Sequence, residues 1–355
     1  MWSLRGQRSV RTLRWLCVSV LLNARSSSLF CVLATQRAGT VASRGEPAAC
    51  ARSKMGGITQ LHQGNHSYTG NMCAAARVTN QNWCPRVRAR MHAPAPPTPT
   101  GMRTQAEESR RADALFHDPV AHLVAGGARS MGDWIMVPRT RYGDDLIEEL
   151  GKTGASQLVL LGAGMDTRAF RLASLRAWTV FEVDLQETFA VKEPLLADQP
   201  TLCAQRVVLA SDFAQASAVE LVQLLVDAGF KREAPAVFLL EGLLMYLDEA
   251  TTSRVIQAVR AVSAPGSVVF HDAITASYLQ QGIAVHGAPF IGGSDDYSSL
   301  WGAEFDTKVL DMARSVRVDR ANRRLVVDLS STHALVTPAR AKGNNIVLFV
   351  HCRRK

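Results

Sequence analysis

Acidic residues are almost missing from the first hundred positions. Glu46 stands alone there against thirteen lysines and arginines, a local net charge of +12. The whole chain of 355 residues carries +9, so the part after residue 100 sums to −3. The basic excess belongs to a leader, and the remainder lacks the positive surface by which proteins hold nucleic acid. Long apolar runs are also missing from the leader. Its apolar stretch, Trp15 to Leu22, falls far short of the roughly 20 residues that span a bilayer, which argues against stable membrane insertion after processing. Cysteine is scarce where a fold is expected. Cys17, Cys31, Cys50, Cys73 and Cys84 lie in the leader, and only Cys203 and Cys352 follow it, too few for a disulfide framework. His62 and His66, with Cys73 and Cys84 downstream, match the spacing of no zinc module, so no metal is assigned.

What is present in the leader is an address. Arginines at 5, 8, 11 and 14 precede the apolar stretch, in a setting rich in serine and poor in acid. Mitochondrial and plastid transit peptides have this composition. A secretory signal, or a bipartite plastid signal, shares the basic start and apolar run, and a cytosolic start is the remaining alternative. The Pro-rich "HAPAPPTPTG", His92 to Gly101, ends the segment, giving a targeting leader and linker over 1–101 and a folded domain over 102–355.

From about Gln105 the pattern changes. Residues 105–151 read as helical in pieces, interrupted at Pro119, Gly126-Gly127 and Pro138. Apolar runs of strand length follow at 157–162, 179–184, 206–211, 236–242, 267–272 and 345–351, with helix-compatible stretches at 166–175, 186–198, 214–229 and 248–263. Near-continuous apolar strands alternating with amphipathic helices predict a doubly wound α/β domain with a mainly parallel sheet covered on both faces. "SVRVD" and "RRLVVDLSS", within 314–340, supply late strands. The Gly-, Ser- and Asp-rich 283–300 segment reads as a substrate mouth or a solvated connection.

In such a sheet the ligand crevice lies at the carboxyl ends of the strands. Gly162 and Gly164 end the first strand and Asp184 the second. Asp212 follows the third, Glu241 ends the fourth, and Asp272 the fifth. A strand-end acid can be an N-cap for the next helix, as Asp166 and Asp248 are expected to be. The set as a whole is harder to assign to capping. The turn "GAGMDT" resembles a dinucleotide fingerprint but has Thr167 where the third glycine belongs, and it brings Asp166 to the helix start. A carboxylate there repels a pyrophosphate. A cationic nucleoside such as S-adenosylmethionine fits better. Asp184 can accept both ribose hydroxyls, Asp212 the adenine amino group, and Glu241 the ammonium or the sulfonium side.

Together, "LVLLGAGMDTRAFRL", "FEVDLQETFAVKEPLL" and "FLLEGLLMYLDEATTSRVIQAV" resemble the leucine carboxyl methyltransferase family, in its bacterial-type branch more than in its protein-phosphatase-methylating enzyme. The resemblance covers about 105–355. It implies a class I, Rossmann-like, seven-stranded sheet with an N-terminal helical cover, and S-adenosyl-L-methionine as cofactor. It carries cofactor binding to Gly162, Asp184, Asp212 with Phe213, and Glu241. It also gives Arg139 of "VPRTRYGDDLI", with Arg141 second, the cofactor carboxylate. "ALFHDPVA" matches the family's entry segment, which covers the site in relatives. The family's F-E-V-D-x-P here has Gln186 in place of proline, which should loosen the next helix start.

The reading that follows is an S-adenosylmethionine-dependent O-methyltransferase acting on a carboxylate or hydroxyl oxygen. The acceptor is expected to be a small molecule, with a protein C-terminal carboxylate as the lesser case. A carboxylate acceptor, with an ordinary pKa of ~4, needs no general base; a hydroxyl does, and Tyr246, His271 and Tyr142 are the available groups. The alternatives are a non-catalytic module retaining the cofactor pocket and an NAD(P)-dependent oxidoreductase.

Overall fold

The computed structural model describes residues 100–126, 133–285, 288–329 and 347–355. The expectations placed on residues 1–99, including the targeting address and the His/Cys group, lie outside the described residues. Among the described residues no helix is long and apolar enough to cross a membrane.

Among the described residues three helices precede the sheet: α1 Thr100–Glu108, α2 Ala121–Ala125 and α3 Asp133–Gly151. The long α3 runs through Pro138, which was expected to interrupt it. The alternating core follows as β1 Gln157–Leu161, α4 Arg168–Arg171, β2 Thr179–Asp184, α5 Gln186–Leu196, β3 Gln205–Ala210, α6 Ala218–Asp227, β4 Val237–Leu240, α7 Glu249–Val262 and β5 Val268–Ile274. Then come α8 Ala276–Leu279, the two-residue strands β6 Ala284–Val285 and β7 Ala288–Pro289, α9 Tyr297–Trp301, β8 Phe305–Asp311, α10 Met312–Ser315, β9 Val316–Asp319, β10 Arg324–Val327 and β11 Val347–Arg354.

The main sheet has seven strands in the order β3-β2-β1-β4-β5-β11-β8. Pairing is parallel from β3 to β5, and β11 runs antiparallel to both β5 and β8. Strands β1, β4 and β5 are buried at every position, which is why they read as unbroken apolar runs. One core lies under α1–α3 around Ile147, Leu158 and Phe270; the other lies under α6, α7 and α9 around Phe238, Val255 and Trp301. Helix starts follow local chemistry: Ser217 and Glu220 form a reciprocal capping box on α6, and Asp248 caps α7 at 2.7 Å from the Thr251 N–H.

Three further expectations about the elements are corrected. The seventh strand of the sheet is 305–311, "FDTKVLD", whose alternation of charged and apolar residues hid it. The anticipated late strands instead pair with each other as the separate β9–β10 hairpin. The helix expected over 166–175 is only α4, followed by a 3-10 turn at Ala173–Ala177. Gln186 does not loosen α5, because the Asp184 carboxylate accepts from the Leu185 N–H and the Thr188 hydroxyl, both at 2.7 Å, and fixes the helix entry.

Candidate active site

Strand order reverses between β1 and β4, and there a cavity of about 300 Å³ opens at the carboxyl ends of β1, β4 and β5. Arg139, Gly162, Gly164, Asp166, Glu241, Tyr246 and Asp272 all line it. The glycine turn enters its wall with positive φ at Gly162 (69°) and Gly164 (49°), the left-handed region where a side chain is strained. Its amides turn inward. The N–H groups of Gly162 and Ala163 donate to Val183 O at 2.9 and 3.1 Å, and that of Gly164 donates to Asp184 Oδ2 at 2.7 Å. The donors that would cradle a pyrophosphate in a dinucleotide site are therefore used within the protein.

This places Asp184 differently from expectation. It is buried behind the turn, outside the cavity lining. Three of its roughly four acceptor positions are taken, so it is a brace for the turn with room for one further hydroxyl, not two. Burial pushes its carboxyl pKa up, against the Gly164, Thr188 and Leu185 hydrogen bonds. Asp212 is half-buried after β3, where Oδ1 accepts from the Ala214 N–H at 3.0 Å, and Phe213 packs in the second core. Neither lines the cavity.

A residue to which the sequence alone assigned no role holds the site together. Arg168 is 1% exposed, and its guanidinium reaches four partners. Nε donates to Asp144 Oδ1 at 2.8 Å. Nη2 donates to Glu241 Oε1 at 2.8 Å and to Thr140 O at 3.1 Å, and Nη1 donates to Asp166 Oδ2. Burial opposes this charge, but Asp166, Glu241 and Asp144 outweigh it, and the guanidinium pKa lies well above its ordinary value. Asp144 is shared with Arg171 at 2.8 and 2.9 Å. Burial raises the Asp144 carboxyl, yet Arg171 and Arg168 prevail and bring its pKa down. For Glu241 the balance goes the other way: burial pushes the pKa up, and Arg168 and Arg139 only partly offset it. Helix α3 can approach this pair because residue 143 is glycine. A Cβ there would sit 2.6 Å from Glu241 Oε1 and 2.7 Å from Arg168 Nη2.

Arg139, expected to meet a ligand carboxylate, extends from α3 into the same network. Its Nη1 donates to Asp272 Oδ2 at 2.7 Å, while Asp272 Oδ1 accepts from the Gly242 N–H at 2.5 Å. Its Nε is buried, makes no hydrogen bond among the described residues, and lies 3.8 Å from Glu241 Oε2. Arg141, the second choice, points elsewhere, to Asp145 at 2.8 Å and Leu115 O at 2.5 Å. Asp118 of the entry segment accepts from the Ala121 N–H at the start of α2 at 2.9 Å and from the Thr167 hydroxyl at 2.5 Å, which ties that segment to the turn after β1.

Of the three weak catalytic candidates only Tyr246 reaches the cavity, its ring 5.1 Å from that of Phe290. His271 is fully buried, its Nε2 accepts from Trp301 Nε1 at 3.0 Å, and burial lowers its pKa to about 4. The Tyr142 hydroxyl pairs with His351 Nδ1 at 3.0 Å, and its ring packs on Phe270 and Phe349. Both belong to the packing of the sheet and are withdrawn as catalytic candidates.

The family model described as leucine carboxyl methyltransferase matches residues 100–260. A Frankia alni protein, provisionally named an S-adenosyl-L-methionine-dependent methyltransferase, is 35% identical over 189 residues, covering 48% of this chain and 66% of its own. A Streptomyces coelicolor protein of the same provisional name is 34% identical over 184 residues, covering 46% and 64%. The chain thus matches slightly under two thirds of the length of these curated relatives. A solved structure from Thermobifida fusca, provisionally named a methyltransferase, is 17% identical with a TM-score of 0.42, covering 82% of this chain and 97% of that one. Over residues 100–260 this chain is similar to the leucine carboxyl methyltransferase family.

Proposed function

We propose that the protein is an S-adenosylmethionine-dependent methyltransferase that delivers its methyl group to an oxygen, a carboxylate or a hydroxyl, of a small-molecule acceptor. The observation that carries this reading is the charge pattern of the β1/β4 crevice. Two cations, Arg139 and Arg168, stand there among three acids, Asp166, Glu241 and Asp272. An acid-rich wall whose turn amides are already engaged suits a cationic nucleoside and opposes a pyrophosphate. At an effective dielectric of ~20 a charge pair at 4 Å is worth about 4 kcal/mol before desolvation is subtracted.

The residues fit the cofactor. The buried Nε of Arg139 has no hydrogen-bond acceptor among the described residues, one that the cofactor carboxylate can provide. Glu241, on the same wall, is the partner for the ammonium, and its raised pKa falls as that cation approaches. Gly162 and Gly164 expose a wall with no side chain, and Asp184 keeps that wall in place. When bound, the cofactor supplies a methyl carbon activated by the sulfonium, so the protein's task is alignment and exclusion of water.

Calorimetric titration of the full-length protein tests the proposal. S-adenosylmethionine and S-adenosylhomocysteine are expected to bind at micromolar concentration, and NAD is not. Asp184→Ala should remove that binding while circular dichroism stays native. NAD binding in preference to the methyl donor, or undiminished affinity in the variant, refutes the assignment.

A further inference from the structure

The far side of the cavity has a different character. After β5 the chain passes through α8 and the β6–β7 ribbon, then folds back onto the turn that follows β4. The N–H groups of Ile291 and Gly292 donate to Met245 O at 2.8 and 3.1 Å. A Cβ on Gly292 would collide with Leu244 O and Leu247 O, so only glycine permits this approach. The fastening assembles an apolar cluster separate from both cores. Met245, Tyr246, Ile274, Tyr278 and Phe290 of that cluster line the cavity. Every charged side chain among the described lining residues belongs instead to the ion network at the strand ends. Among the described lining residues, the polar side-chain groups on that side are the hydroxyls of Tyr246 and Tyr278.

Two consequences follow for whatever occupies that side. A hydrophilic body would lose its water with nothing equivalent in return, whereas an apolar body gains from burial. A hydroxyl acceptor of ordinary pKa would also need a base. The carboxylates on the wall are each engaged: Asp272 by Arg139 and the Gly242 N–H, Glu241 and Asp166 by Arg168. Resting on the methyl-transfer reading above, we infer that the acceptor is an apolar small molecule whose accepting oxygen is already anionic at neutral pH, with its body held in the Met245–Tyr278–Phe290 cluster. A lone pair of that oxygen forms the O–CH3 bond as the C–S bond breaks and its electron pair stays on sulfur. Anion and sulfonium thus become neutral, and no proton is released.

The test uses the full-length protein, labelled S-adenosylmethionine and a panel of acceptors. Decanoate, cinnamate and the acidic enol lawsone represent apolar anions; decanol, succinate and a leucine-terminated peptide represent the other classes. At least one apolar anion is expected to be methylated about tenfold or more faster than the rest, without acidification of an unbuffered assay. It should also bind the S-adenosylhomocysteine-loaded protein by calorimetry. Phe290→Asp, and independently Tyr278→Asp, should weaken that binding about tenfold, the range expected for losing one apolar contact and gaining a charge. Their affinity for S-adenosylmethionine should change less than about threefold. Preference for decanol, succinate or the peptide overturns the inference, as does failure of all three apolar anions to bind. If the protein still binds S-adenosylmethionine in that event, only this inference falls; if it does not, the methyl-transfer reading falls with it.

Discussion

Replacing Arg168 by methionine keeps the length of the side chain and removes its charge, and the structure sets the size of the effect. Not every partner is orphaned equally. Asp144 keeps Arg171 at 2.8 and 2.9 Å and stays neutralised. Glu241 loses its 2.8 Å contact and retains Arg139 only at 3.8 Å, and Asp166 loses its guanidinium partner. Removing one member of a buried ion pair costs about 3–5 kcal/mol. At roughly 2–4 °C per kcal/mol for a domain of this size, the melting temperature of Arg168→Met should fall by about 6–20 °C. The deficit also has a definite pH dependence. The Glu241 pKa is raised by burial even with both arginines present, and losing one raises it further. Once protonated, Glu241 needs no cation, so the penalty is full at pH 8 and shrinks as the pH falls toward 5. Urea unfolding of both proteins across that range is the assay. A deficit below about 1 kcal/mol at pH 8, or one that does not change with pH, would mean that Arg168 is not what holds Glu241 ionised.

Glu241→Gln should weaken S-adenosylmethionine by about tenfold or more while changing adenosine little, since only the former has a cation for it to meet; equal losses by calorimetry would remove that role. Gly143→Ala reverses an ordinary expectation. Alanine in a helix interior usually gains about 1 kcal/mol over glycine, but here the Cβ would displace Glu241 and Arg168, so a net loss of about 1–3 kcal/mol is expected in urea, together with weaker cofactor binding. Burial lowers both His271 and His351 from 6.5 to about 4. Their contribution is full above the unfolded value and is lost as the pH falls through 6.5 toward 4, by up to about 1.4 kcal/mol per pH unit for each proton. Asp145, raised to about 6 by burial, acts in the opposite direction, so the diagnostic quantity is the difference between wild type and His351→Phe. That difference should narrow steadily between pH 6.5 and 4, and a constant gap counts against a neutral buried imidazole.

How much of this was legible in the sequence depends on whether a residue's neighbours in space are also its neighbours in the chain. Strands β1, β2, β4 and β5 could be read because burial on both faces writes itself as consecutive apolar letters. Strand β8 escaped because it carries Asp306 at an exposed and Lys308 at a half-buried position, so it looked like a solvated connection, and its pairing with β11 makes it sheet. The strand-end acids were visible because the topology places every parallel strand's carboxyl end at one rim, whatever the details.

Partner choice was not visible, and that is where the roles of Asp184 and Arg168 changed. Nothing local says whether a strand-end aspartate faces a ligand or its own turn. That was decided by the Gly164 N–H, twenty positions upstream and 2.7 Å away. Nor does anything near "DTRAF" mark Arg168 as buried, because its charge is balanced by residues from α3 and from the end of β4. The reason lies in the fold. The helix α4 that carries Arg168 between Thr167 and Ala169 is so short, and so fully buried on that side, that an arginine there cannot reach water. An arginine that cannot reach water requires carboxylates nearby, and the fold places three of them, Asp144, Asp166 and Glu241, around its guanidinium, the last two on the wall of the crevice. Asp166 and Glu241 thus serve twice, holding Arg168 in the folded protein and presenting a negative wall to a ligand. It follows that stability and cofactor affinity in this site are coupled through Glu241, and a variant that changes one is expected to change the other.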